Sequence, residues 1–295
     1  MKKITRIFFF LIMLIVVGIS GHLIHVLSFT PSETFPEEHF SSNSGNKRAM
    51  AIVAHDDDIC AMSGTLSKLK SQGWTVRQIC FESGAPTRDQ THVAATKNIM
   101  NEAGFINLEG ERYRHSQDSL EYAWMPFEKE QFDQVFNREK TAKGVIQAIR
   151  DFQPEIIFTL DSDIGGYGHP DHVFISSLVL ELSQTDSVEV KRIYQSVFPN
   201  SQEKKTFDRL KAQMDKWGYP SSYHTAQEVY QVEGQPEPNV QVDIISESSH
   251  KMAYLRAYNE SEKKNIRKFI PYFEVYPHWL YFRIFDKEYF KVIDL

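Results

Sequence analysis

The side chains able to do chemistry fall in two short clusters. The first is His55-Asp56-Asp57-Asp58, one imidazole and three carboxylates closing the apolar run Met50-Ala-Ile-Val-Ala54. The second is Gly165-Gly-Tyr-Gly-His169-Pro-Asp171-His172, which follows the apolar run Glu155-Ile-Ile-Phe-Thr-Leu160. Pooled, His55, Asp58 and His172 offer two imidazoles and one carboxylate, the donors of a catalytic zinc site with one position open. Ferrous iron takes the same donors, and softness alone does not separate the two metals. Such a metal brings the pKa of water to about 7. Asp57 is left over to take the water's proton as general base. His169 sits one turn before His172, where it can stabilise an oxyanion as imidazolium or protonate a leaving amine. Asp171 would hold its proton and orientation.

Both clusters need elements that bring them together. Runs of small and β-branched residues read as strands buried on both faces. Strands are expected at Arg48–His55, Thr75–Phe81, Ile106–Tyr113 and Glu155–Leu160, with helices at Cys60–Gln72, Asp89–Ala103 and Glu139–Phe152. That alternation predicts an α/β fold, a Rossmann-like three-layer sandwich with a mostly parallel sheet. In the dinucleotide-fold order, strands one and four are neighbours at the point where the order reverses, so the loops behind them share one crevice. Pro170 suits the first position of a helix that runs to Leu182, and Gly165, Gly166 and Gly168 allow close approach to a ligand. Further on, a strand is read at Arg192–Phe198 and a polar helix from Gln202. Strand-like Glu228–Glu233 and Val240–Ile245, a helix Glu247–Tyr258 and a closing hairpin, Trp279–Phe285 with Tyr289–Ile293, complete the chain.

The N-terminus is of a different kind. Lys2, Lys3 and Arg6 precede an apolar stretch over residues 7–29, long enough for a bilayer core of about 20 residues. Residues 1–29 are therefore read as a signal peptide or membrane anchor. Gly18-Ile-Ser20 is a poor cleavage site, which favours the anchor. Either way the remainder is exported, facing away from the cytoplasm. Residues 30–47, with Pro31, Pro36 and several serines, read as a stalk, and 48–295 as the catalytic domain. A net charge of -6 leaves no footprint for nucleic acid. Cys60 and Cys80 are the two cysteines, read as buried thiols or as one disulfide. Nothing in the sequence sets the oligomeric state.

Several alternatives fall away. No Gly-x-Gly-x-x-Gly follows the first strand, so a dinucleotide is not expected. Asp161-Ser-Asp163 opens like a calcium loop, but His172 stands at its twelfth position. The remaining pair of motifs, His55-x-Asp57-Asp58 and His169-Pro-Asp-His172, resembles the LmbE/PIG-L family of metal-dependent de-N-acetylases. The resemblance implies removal of an N-acetyl group from an N-acetylglucosamine-type conjugate. It further implies zinc on His55, Asp58 and His172, Asp57 as base and His169 at the oxyanion. It also points to Arg88 as a substrate contact. Glu288-Tyr-Phe290 resembles a further element of the family. Asp56 stands where the family usually has Pro, Ile59 where it has Glu, and Tyr258 where relatives often show His. Two rival readings are a ferrous oxygenase using His55, Asp57 and His172, and a catalytically silent glycan-binding protein. The oxygenase requires a jelly roll of short strands.

Overall fold

The apolar run before His55 is unbroken because both its faces are buried. Ala49, Ala51 and Val53 face one core while Met50, Ile52 and Ala54 face another. Alternation along a strand then gives no polar face. The computed structural model describes residues 2–40, 45–115, 122–185 and 187–295. Among these, seven strands form one sheet in the order β3-β2-β1-β4-β5-β7-β6. β1 (Arg48–Ile52), β2 (Thr75–Cys80), β3 (Glu102–Phe105), β4 (Ile156–Leu160) and β5 (Arg192–Ser196) are mutually parallel. β7 (Lys287–Asp294) runs antiparallel to β5 and to β6 (Val240–Asp243). This is the expected mostly parallel α/β sheet, and not a jelly roll.

An apolar helix α1 (Lys2–Leu27) precedes the sheet. One helical layer packs α2 (Ser63–Ser71) and α3 (Pro86–Thr96) on the sheet through residues such as Leu66 and Ala95. The other face carries α4 (Arg138–Phe152) and α5 (Pro170–Ser183), with Val145, Ile149, Phe174 and Leu178 in its core. The C-terminal part adds α6 (Asn200–Trp217), α7 (Ser222–Tyr230), α8 (Ser248–Ala257), α9 (Glu260–Phe269) and α10 (His278–Ile284). Glu288 on β7 ties that part to the first. Its carboxylate accepts the backbone N–H groups of Gly64 (2.9 Å) and Thr65 (2.7 Å) and pairs with buried Lys251. An acidic group at a helix N-terminus meets the positive end of the dipole.

Several expected elements differ. The helix over 89–103 ends at Thr96, and the chain re-enters the sheet at Glu102, so β3 precedes the strand expected at 106–113. Asn101 sets that register by accepting the Val76 N–H at 2.8 Å and donating its own N–H to the Val76 carbonyl. The first half of the strand-like Glu228–Glu233 belongs to α7, which buries Tyr223 and Ala226 at helical spacing. The first arm of the closing hairpin is α10, started behind Pro277 and burying Tyr281 and Phe282. Cys60 and Cys80 are both buried free thiols.

The stalk is the largest correction. Its segment 30–40 lies against the domain, and residues 41–44 fall outside the described residues. Ser201 donates its backbone N–H to Glu33 at 2.8 Å. Glu38 N–H reaches the Gln241 carbonyl at 2.8 Å, and Gln241 N–H the Pro36 carbonyl at 2.9 Å. Pro and Ser composition reads as a linker, but here the backbone finds partners on the open edge of β6. Amide hydrogen exchange on the full chain should therefore show Glu38 and Gln241 protected together. Exchange of residues 33–40 at the rate of an unstructured peptide would refute the strap.

Candidate active site

β1 and β4 pair in register, Ala49 with Ile156 and Ala51 with Phe158, so the loops behind them meet. His55 ends the first run, and Asp56–Ala61 form a tight 3-10 turn that leads to α2. The Asp58 carboxylate folds back onto the His55 backbone N–H at 2.7 Å. The second loop is held by Asp161, which is fully buried. It accepts N–H groups from Asp163, Ile164, Gly165 and Gly166 at 2.6 to 3.1 Å. Glycine is required in this loop. At Gly165 (φ +60) a Cβ would lie 2.7 Å from the His172 Cβ, and at Gly168 (φ +91) 2.6 Å from the Ala226 Cβ. His169 and Pro170 then start α5, which carries His172 inward.

The three expected donors converge. His55 Nδ1 lies 2.9 Å from His172 Nε2. Asp58 Oδ1 lies 3.1 Å from His172 Nε2 and 3.8 Å from His55 Nδ1. Tetrahedral zinc with bonds of about 2.0–2.1 Å separates its ligands by about 3.3 Å, and the three distances straddle that value. The far nitrogens are fixed as well. His55 Nε2 faces Asp171 Oδ2 at 3.1 Å, and His172 Nδ1 donates to the Gly165 carbonyl at 3.0 Å. Both imidazoles thus aim their other nitrogen at the common centre, the orientation that metal-binding histidines need. A set of three imidazoles, His55, His169 and His172, also lies within 4.8 Å. His169 spends Nδ1 on the Asp171 backbone N–H at 3.2 Å, capping α5, so its free nitrogen is Nε2.

The electrostatics favour a cation. Burial opposes charge on Asp58, yet His172 and His55 hold its carboxyl well below the ordinary range. Burial would lower the His55 imidazole, but hydrogen bonds to Asp171 and Asp58 carry it well above its usual value. Burial pushes Asp57 up to about 6, with the Asp58 and Asp56 charges adding and Arg88 opposing. Burial, against the pull of the Asp171 charge, takes His169 well below its usual value. With Nδ1 taken by the Asp171 N–H, it is Nε2 of His169 that remains for the cavity.

Asp171 also differs from expectation. Its carboxylate orients His55, standing 3.8 Å from His169 Nδ1 and 3.1 Å from His55 Nε2. Tyr113 donates to it at 2.7 Å, and Arg114 Nε at 2.7 Å, with Arg114 and Asp171 both buried. Sequence reasoning missed Tyr113, Arg114 and Asp161. Only Asp161, directly behind β4, carried a positional signal. Arg88 is clasped by Asp56, its Nε 3.0 Å from either oxygen, and Nη2 reaches Asp57 at 3.3 Å. The added carboxylate of Asp56 thus goes to the arginine and not to the donor centre. Tyr258 lies behind it, bonded to His92 (2.8 Å) and to the Asp56 carbonyl (3.3 Å). His55, Asp57, Asp58, Arg88, His169 and His172 all face a cavity of about 1420 Å³.

Residues 50–183 match the family model PIG-L, described as GlcNAc-PI de-N-acetylase. The matched stretch contains His55, Asp57, Asp58, Arg88, His169, Asp171 and His172. The 1D-myo-inositol 2-acetamido-2-deoxy-alpha-D-glucopyranoside deacetylase of Streptomyces scabiei (strain 87.22) is 28% identical over 152 residues. That alignment covers 43% of this chain and 45% of the relative, so the chain spans less than half of the relative's length. Among solved structures, GalB, the 4-carboxy-2-hydroxymuconate hydratase of Pseudomonas putida KT2440, superposes with TM-score 0.48 and 12% identity. It covers 84% of this chain and 97% of its own. N,N'-diacetylchitobiose deacetylase of Pyrococcus horikoshii gives TM-score 0.45 and 16% identity over 94% and 92% of the two chains.

The Asp171 geometry has a measurable consequence. Asp171→Asn leaves the buried Arg114 charge without its carboxylate, a loss of about 3–5 kcal/mol. Adding Arg114→Met should recover most of that stability in thermal melts. Zinc affinity should stay about 10–100-fold down in the double variant, because His55 still lacks its carboxylate partner. Wild-type zinc affinity in the double variant would show that Asp171 does not position His55.

Proposed function

We propose that the chain is a zinc-dependent hydrolase that removes an N-acetyl group from an N-acetylglucosamine-type conjugate. The observation that carries this is the meeting of His55, Asp58 and His172 at near-tetrahedral spacing beside Asp57, within the stretch that matches the PIG-L model. His55, Asp58 and His172 would hold the ion, and ferrous iron fits the same donors. Zinc at such a site supplies Lewis-acid polarisation of the amide carbonyl and acidification of water to a pKa of about 7.

The chain's own groups do the rest. Asp57 faces the cavity with its carboxyl near 6, placed to accept the water's proton and later release it to the departing amine. His169 donates from Nε2 toward the oxygen on which charge develops. Arg88, held rigidly by Asp56, presents its remaining donors to polar groups of the sugar conjugate. Asp171 keeps His55 in the tautomer the site needs. The oxygenase reading loses ground here, since Asp58, and not Asp57, is the carboxylate that touches both imidazoles. We further read α1 as a membrane anchor, because Ile4–Leu27 is long and apolar enough to span a bilayer and leaves its apolar window exposed. The catalytic domain then lies on the non-cytoplasmic side, the charges of Arg6 and its neighbours staying inside.

The purified full chain, given zinc and a panel of N-acetylated amino-sugar conjugates, should release free acetate. Absence of acetate across the panel from zinc-loaded protein would refute the activity. Asp57→Asn should keep stoichiometric zinc while turnover falls by about 10²–10⁴. Asp58→Asn should lose zinc and turnover together. Zinc lost from Asp57→Asn and kept by Asp58→Asn would exchange the two roles.

A further inference from the structure

The C-terminal turns of α1 are built into the domain. His22 Nδ1 bonds to the Tyr276 hydroxyl, and His25 Nε2 lies 3.1 Å from the Tyr272 hydroxyl. Val26 is fully buried and Phe29 nearly so, with the Arg209 guanidinium 5.2 Å above the Phe29 ring. Counted from Ile7, directly behind Arg6, a bilayer core of about 20 residues ends near Val26. His22 and His25 then stand at the level of the outer interface, and so does the loop they hold. That loop is unusually apolar on its outside. Among the described residues beyond α1, the large apolar side chains more than half exposed are Trp217, Val275 and Trp279. Two of these three flank Tyr276. Arg283, one turn beyond Trp279 on the same face of α10, is exposed, as is Arg256, which bonds the Tyr276 carbonyl at 3.2 Å.

We propose that Val275 and Trp279, with Arg256 and Arg283, form a docking face that rests in the headgroup layer of the outer leaflet around α1. The occupant is the bilayer itself. Single exposed apolar residues need no explanation. A tryptophan and a valine beside the exit of a membrane-length helix match the interface in both chemistry and place, since aromatic belts occur at both faces of a bilayer. Tryptophan is favoured there because its ring is apolar and its N–H can stay wet. The proposal rests on the reading of α1 as an anchor, and the test separates the two.

The full chain carrying Trp124→Phe and Trp217→Phe retains Trp279 and the core residue Trp74, which is 3% exposed. It is reconstituted into vesicles of phosphatidylcholine and phosphatidylglycerol. Part of the phosphatidylcholine is brominated near the carbonyl end of its acyl chains. Flotation reports anchoring, and quenching reports docking. The expected result is that the chain floats and loses most of its Trp279 emission. The companion that also carries Trp279→Phe should float and keep its Trp74 emission. A chain that floats with Trp279 unquenched overturns the docking face and leaves the anchor standing. Equal fractional quenching of the Trp74 companion also overturns it. A chain that does not float overturns the anchor and the docking face together.

Discussion

The parallel pairing of β1 with β4 is the constraint on which the rest depends. It places Ala51 beside Phe158 at the point where strand order turns from β2 on one side to β5 on the other. Helices cross to opposite faces there, so the loops that leave the two strands are not covered and must meet. Every group of the candidate centre descends from that adjacency. His55 and Asp58 come from one loop, His169 and His172 from the other, and a slip of one residue would turn each strand's buried set over.

Bringing carboxylates and imidazoles into a buried crevice carries a desolvation cost that the surroundings must offset. Charges are therefore matched in pairs. Arg114 faces Asp171, Arg88 faces Asp56, and Lys251 faces Glu288, each from a different part of the chain. Asp58 is left with imidazoles alone, which is the arrangement that welcomes a divalent ion. Burial and the neighbouring Asp58 and Asp56 charges raise the Asp57 carboxyl to about 6 against the pull of Arg88, so it can exchange a proton.

Much of this was legible in the sequence. The donor residues are close together in each motif, and the runs before them advertise strands through their unbroken apolar character. The adjacency of β1 and β4 followed from the dinucleotide-fold order, whereas the antiparallel end, with β7 between β5 and β6, did not. Other parts were hidden for physical reasons. Tyr113 closes a segment read as a strand and Arg114 follows it, and nothing local announces that they support Asp171. α7 and α10 are short and aromatic, and over so few residues the helical and strand patterns coincide. Burial of Tyr223 with Ala226, and of Tyr281 with Phe282, decided them through tertiary contact. The roles of Asp171 and His169 turned on which nitrogen meets which oxygen, and spacing along a chain does not carry that.

The strap along β6 bears on how such a protein would meet its substrate. A free linker of about a dozen residues has a root-mean-square span of roughly 20 Å and would let the domain tumble over its anchor point. Here Glu33, Pro36 and Glu38 are fastened to the domain directly after Phe29, and Phe29, Thr30 and Pro31 line the cavity itself. The joint has no slack. For a chain held in a bilayer by α1, the cavity mouth would keep one height and one tilt above the lipid. Any substrate would then meet a mouth whose orientation is settled before encounter.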